Sequence, residues 1–131
     1  GIIRFNRWTI IDLPFVLDLQ QWYLNMVTKD TSKLDFVSAY DYVDNIPLVD
    51  SFDLVIAAHS LSEFSLETFV EYFVNILTKA EFFFYATQVG QDHQEKKLDL
   101  LSTIFDPIKI EITEEGAVHN ILYKRREDDK Y

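Results

Sequence analysis

Four side chains able to bind a ligand or move a proton fall within five positions: His59, Ser60, Ser62 and Glu63. They follow the apolar run 52–58 (FDLVIAA) and precede a helical pattern that opens at Ser65. Histidine is the side chain whose charge changes near neutral pH, so His59 suits a general base. Glu63 can orient His59 or hydrogen-bond a hydroxyl-rich ligand, and Ser60 can contact the same ligand. The plainer reading is that Glu63 favours a helix start through the helix dipole and that His59 fills a loop. Asp12 closes the run 8–12 (WTIID). A carboxylate at the C-terminal end of a strand can chelate a vicinal diol, or it can cap the helix beginning near Pro14. Tyr40 follows the run 34–38 (LDFVS), where its ring can stack on a flat group or simply pack. Gln88, after the run 82–87 (FFFYAT), reaches the same rim as His59 if both runs are parallel strands. His93 opens a polar helix and His119 lies in an alternating segment. With three His and no Cys the chain shows no ligand-spaced metal cluster, and no metal is expected.

The elements that must hold these residues can be read from periodicity. Segments 8–12, 34–38, 52–58 and 82–87 are short apolar runs, as expected for strands, and 52–58 reads as buried on both faces. Residues 15–27 form a helix entered through Pro14, with Leu19, Trp22, Tyr23 and Met26 on one stripe. Residues 41–47 (DYVDNIP) are a connection. Ser65 is an N-cap with Glu67 in the first turn, and Leu66, Phe69, Val70, Phe73 and Leu77 recur at helical spacing. Residues 91–105 read as a helix with Leu98, Leu101 and Phe105 inward, stopped by Asp106-Pro107. Residues 108–112 and 117–123 then form a hairpin around Glu115-Gly116. Helices between apolar strands give an α/β domain with a mostly parallel sheet and a C-terminal antiparallel hairpin.

Composition narrows the partners. The 131 residues fit one domain, and 48% hydrophobic with 26% charged is globular. Twelve Lys and Arg against 22 Asp and Glu leave a net charge of −10, which argues against nucleic acid as a partner. The cluster Lys124-Arg125-Arg126 is followed at once by Glu127-Asp128-Asp129, so residues 124–131 read as a charged, solvated tail. No apolar stretch approaches the roughly 20 residues of a membrane span. No secretion signal opens the chain, and the absence of Cys suits a reducing, cytoplasmic setting. Glycine occurs only at 1, 90 and 116, so no glycine-rich phosphate loop can be drawn. A phosphorelay receiver would need Asp and Lys where the chain has His59 and Gln88.

The strings "IIDLP", "WYL", "FDLVIAAHSLSEFSLETFVEYF" and "FFFYATQ" resemble the sugar O-methyltransferase family of class I S-adenosylmethionine-dependent enzymes. The resemblance runs from about Trp8 to Tyr123. It implies a Rossmann-like three-layer sandwich entered at its second strand, the first strand and its glycine loop being absent. That strand would stand between 8–12 and 52–58, so those two strands are expected to pair directly, to pair with another chain, or to leave a backbone edge open. Self-association through such an edge is expected.

The resemblance also implies roles. Asp12 would accept the ribose hydroxyls of S-adenosylmethionine, and Ala39 with Tyr40 would form the turn against adenine. His59 and Glu63 would be catalytic toward a sugar or glycan hydroxyl, with Ser60 and Gln88 on the substrate. Without the glycine loop, cofactor binding by this chain is expected to be weak or absent. The alternative is a non-catalytic Rossmann-like module that binds a partner or dimerises.

Overall fold

The computed structural model describes residues 5–28, 30–46, 49–58, 60–88, 93–113 and 118–128. The chain divides into two compact units, Gly1–Leu48 and Val49–Tyr131.

In the first unit, β1 (Trp8–Asp12) and β2 (Leu34–Ser38) pair in parallel, with Asp12 opposite Ser38. Between them runs α1 (Pro14–Val27), with Pro14 in the first turn, where its missing N–H costs nothing. A short helix, α2 (Tyr42–Asn45), follows β2 inside the segment expected as a bare connection. Its Tyr42 is buried, together with Leu17 of α1 and Val37 of β2. The stripe expected to face a core is instead open: Leu19, Trp22, Tyr23 and Met26 are each more than half exposed. The buried position of α1 is Leu17.

The second unit is a four-stranded sheet in the order β3-β4-β6-β5, from β3 (Phe52–Ala58), β4 (Ala80–Gln88), β5 (Phe105–Ile112) and β6 (Val118–Arg125). β3 and β4 are parallel, whereas β6 runs antiparallel to both β4 and β5. The arrangement is α/β with mixed strand directions, two pairings parallel and two antiparallel, rather than mostly parallel. Among the described residues β1 pairs with β2 in the first unit, and β3 pairs with β4 in the second.

Helices α3 (Leu66–Asn75) and α4 (Gln94–Ser102) pack on one face of this sheet. Ser65 caps α3 as its sequence suggests, its Oγ accepting the Thr68 N–H at 3.2 Å. Phe69, Phe73 and Leu77 are buried, but Val70 is 39% exposed, and the helix ends at Asn75 before a 3-10 turn, Leu77–Lys79. The core joins these to Ala57, Phe83, Tyr85, Leu101, Phe105, Ile121 and Tyr123. Phe83 stacks on Tyr123 at 6.0 Å and on Tyr85 at 5.4 Å. Two-sided burial of β3 does not hold: Val55 and Ala57 face the core, while Leu54 and Ile56 on the other face are about half exposed. Alternation along the strand sends these pairs to opposite faces.

At the C-terminal side, α4 is shorter than 91–105, and Phe105 begins β5 instead of ending the helix. Pro107 lies within β5, at a register irregularity on the sheet's edge, where a missing N–H is tolerated. The basic cluster is not uniformly solvated. Lys124 and Arg125 belong to β6, and Arg125 is only 3% exposed. Its guanidinium donates to the carbonyls of Leu77 and Ala80, each at 3.2 Å, and to that of Thr78.

Candidate functional site

In the first unit the structure brings together Asp12, Ala39 and Tyr40. β1 and β2 end side by side, and the Ala39 N–H donates to the Asp12 carbonyl at 2.9 Å, continuing the ladder one step past β2. The Asp12 carboxylate accepts the Leu13 N–H on Oδ1 at 2.8 Å and the Gln20 amide on Oδ2 at 3.4 Å. Asp12 does not cap α1: the N-cap is Leu13, with no side-chain cap, and Oδ1 binds only the N–H of that residue. An ionised carboxylate offers about four lone-pair positions, so acceptor capacity remains for a diol. Tyr40 directs its N–H to the Ser38 hydroxyl at 3.2 Å, and its side chain is 79% exposed. Its ring is available to stack and contributes almost nothing to the unit's interior.

Gln20 could not be found from sequence spacing. It lies eight positions after Asp12, two turns into α1, and only the helix's approach to the strand end brings its amide to the carboxylate. Arg7 and Asp35 pair across the unit, with Nη2 on Oδ1 at 3.0 Å and Nε on Oδ2. The Arg7 guanidinium, donating to Asp35, holds that carboxyl below its usual range.

In the second unit the segment 60–64 follows β3 as a tight turn, with the Glu63 N–H on the Ser60 carbonyl at 3.1 Å and the Phe64 N–H on the Leu61 carbonyl at 3.4 Å. Ser60 and Glu63 are exposed, whereas Leu61 and Ser62 are buried. Among the described residues the buried Ser62 hydroxyl has no hydrogen-bond partner. His59 lies outside the described residues. Gln88 is the last residue of β4, opposite Val118 of β6, and its backbone position alone is described. β3 and β4 are parallel with Ala58 opposite Ala86, so Ser60 and Gln88 both follow the same end of this sheet. His93 is exposed at the N-cap of α4 with φ 59°, in the left-handed region, where His is tolerated better than most residues.

Sequence reasoning also passed over Lys97. It is 1% exposed, and its Nζ donates to the carbonyls of Leu61 at 3.3 Å, Ser62 at 3.0 Å and Phe64 at 2.5 Å. Its ammonium also stands 5.6 Å from the Phe69 ring centroid. A signal existed: Lys97 precedes Leu101 by four, so it occupies the inward stripe of α4, where a lysine needs acceptors.

Among the described residues no group of three or more His, Cys, Asp or Glu could hold a metal ion. No described helix is long and apolar enough to cross a membrane.

No family model matches the sequence, and no curated protein matches it by sequence. Among solved structures, the PH0226 protein of Pyrococcus horikoshii OT3 is similar at TM-score 0.54 and 11% identity, over 92% of this chain and 82% of that one. An rRNA methylase from Escherichia coli follows at TM-score 0.48 and 11% identity, over 90% of this chain and 57% of its own length. The DhpI-SAM-HEP complex follows at 0.44 and 14%, over 95% of this chain and 56% of that one. This chain thus spans little more than half of the latter two. At these identities the likeness to PH0226 is one of fold, and the other two carry no argument.

Proposed function

We propose that this chain is a domain of an S-adenosylmethionine-dependent O-methyltransferase acting on a sugar hydroxyl. The observation that carries the reading is the juxtaposition in the first unit. Two parallel strands end together, one on the carboxylate of Asp12 and the other on the turn of Ala39 and the exposed Tyr40, joined by the Ala39–Asp12 backbone bond. An acid with spare acceptor capacity beside an open aromatic ring suits a ribose with its attached base. The strings that resemble sugar O-methyltransferases supply the rest of the reading. S-adenosylmethionine, when bound, supplies an electrophilic methyl group. His59 takes the proton of the attacking sugar hydroxyl, Glu63 orients His59, and Ser60 and Gln88 hold the sugar.

Glycine is confined to positions 1, 90 and 116, so no backbone loop can close tightly on the cofactor's amino-acid end. Losing two or three contacts at about 1–1.5 kcal/mol each weakens binding by roughly one to three orders of magnitude. The test is therefore one that reads weak binding: titration of the chain with S-adenosylhomocysteine, followed by amide chemical shifts. Shifts are expected at Asp12, Ala39 and Tyr40, and Asp12→Asn, which can still accept from Leu13, should diminish them. An absence of shifts at these residues in excess ligand, together with no binding of S-adenosylhomocysteine by the whole enzyme that contains this domain, would remove the reading.

One observation favours a second reading, a non-catalytic module for partner binding or dimerisation. In the first unit the stripe Leu19, Trp22, Tyr23 and Met26 is exposed along α1, a run of large apolar side chains of the kind that marks an interaction site. On that reading the chain self-associates in sedimentation and ignores S-adenosylhomocysteine. A monomer that binds the ligand excludes it.

A further inference from the structure

The loop after β3 does not hold its shape through its own contacts alone. Its turn has one bond of good length, Glu63 N–H to Ser60 carbonyl, and one long bond, Phe64 N–H to Leu61 carbonyl. Three of its carbonyls, from Leu61, Ser62 and Phe64, converge on a single point, the buried ammonium of Lys97. Carbonyls of one short turn repel when they point the same way, and a cation at their focus reverses the sign of that interaction. The lysine comes from α4, more than thirty positions later in the chain.

We propose that Lys97 is a positioning residue that fixes the loop 60–64 by gathering its carbonyls inward, so that Ser60 and Glu63 are presented outward at the end of β3. The inference rests on the methyltransferase reading for the use of that loop, but not for the contact itself. The consequence is a division of labour within five residues. Leu61 and Ser62 are buried against the lysine, while the exposed Ser60 and Glu63 remain for ligand. Because α4 follows β4, the same lysine ties the loop after one strand to the element after its parallel neighbour. The two parts of a site at this end of the sheet then share one anchor.

The test compares amide hydrogen exchange in the unvaried chain, Lys97→Met and Lys97→Arg. Methionine keeps the stem and removes the donors, and arginine restores a cation with several N–H groups. Lys97→Met should speed exchange at Glu63 and Phe64 by about tenfold or more, with the amides of Phe83 and Tyr85 in β4 changed much less, as for a local opening. Lys97→Arg should recover much of the protection. Unchanged exchange at Glu63 and Phe64 would overturn the proposal. So would a rise in step with Phe83, because Lys97 would then be a general stabilising residue.

Should Lys97→Met fail to fold, the ammonium resonance of the unvaried chain decides. Slow proton exchange there at neutral pH, compared with the exposed Lys109, is expected, and exchange as fast as Lys109 overturns the proposal. Failure of the methyltransferase reading is seen elsewhere, in S-adenosylhomocysteine binding by the chain and by the whole enzyme, and does not touch these comparisons.

Discussion

Tyr85 and Tyr123 carry phenols into the aromatic centre of the second unit, and both pay in ionisation. Burial raises the Tyr85 phenol, partly offset by the neighbouring Thr87 hydroxyl, and pushes Tyr123 up to about 12. The folded state thus keeps these protons after the unfolded chain has released them. Stability from the neutral phenols is intact below about pH 10, the unfolded value, and falls as pH rises from there toward 12, by about 1.4 kcal/mol per pH unit for each retained proton. Denaturant unfolding at pH 9, 10 and 11 should show this decline. A midpoint independent of pH over that range would contradict it. Arg125 illustrates a second residue-scale effect. Replacing it with Met strands the carbonyls of Leu77, Thr78 and Ala80, and should cost at least about 2 kcal/mol, measured by the same unfolding. Arg125 was not legible as a buried cation, and Lys97 only through its place on the inward stripe of α4. Charge runs read as surface until tertiary structure supplies acceptors, and those acceptors here are backbone groups with no sequence signature.

At the scale of elements, α3 was the most readable feature, because cap, dipole and period agree. Ser65→Ala should cost about 1 kcal/mol through the lost Thr68 bond. Phe73→Ala should cost about 3–5 kcal/mol, and Val70→Ala, at a partly exposed site, less than about 1 kcal/mol. Equal effects of the two would mean that the helix is rotated from its described face. Strands β1, β2 and β3 begin and end where their apolar runs do. What sequence could not supply is the number of layers on each strand. An apolar run states that a strand can be buried twice, not that something covers both faces, and Leu54, Ile56 and the α1 stripe are the places where that difference shows. The ends of α4 and β5 were misread for a related reason: Pro107 looks like a stop, yet an edge strand accepts it. For the candidate site, Asp12 and Tyr40 were legible because strand ends are, while Gln20 was not, because its position depends on how α1 meets β1.

Taken whole, the molecule has unequal halves. The large aromatic cluster lies in the second unit, whereas among the described residues the buried apolar side chains of the first are Leu17, Val37 and Tyr42. A two-stranded sheet with so few buried side chains is marginal by itself. Amide exchange should therefore be slowest in β3, β4 and β6 and markedly faster in β1 and β2, and comparable protection in both would contradict the division. Acid should deepen the contrast. The Asp35 carboxyl is lowered by Arg7, so its contribution is present above about pH 4, the unfolded value, and is lost as pH falls through the lower folded one. Asp35→Asn should remove that part of the acid sensitivity from the first unit and leave the second unchanged.

The strand order β3-β4-β6-β5 also sets a timetable for synthesis. β5 leaves the ribosome before β6, yet it has no seat in the sheet until β6 has paired with β4. During that interval the apolar edge of β4 is open, and Arg125, which closes the turn at Leu77–Lys79, has not been made. A nascent chain held by a C-terminal extension so that only residues up to 117 have cleared the exit tunnel should therefore display a protease-sensitive second unit, even though β3, α3, β4 and α4 are already outside. Lengthening the nascent chain until β6 clears the exit tunnel should confer resistance in one step, because the last strand is the one that joins the sheet's halves.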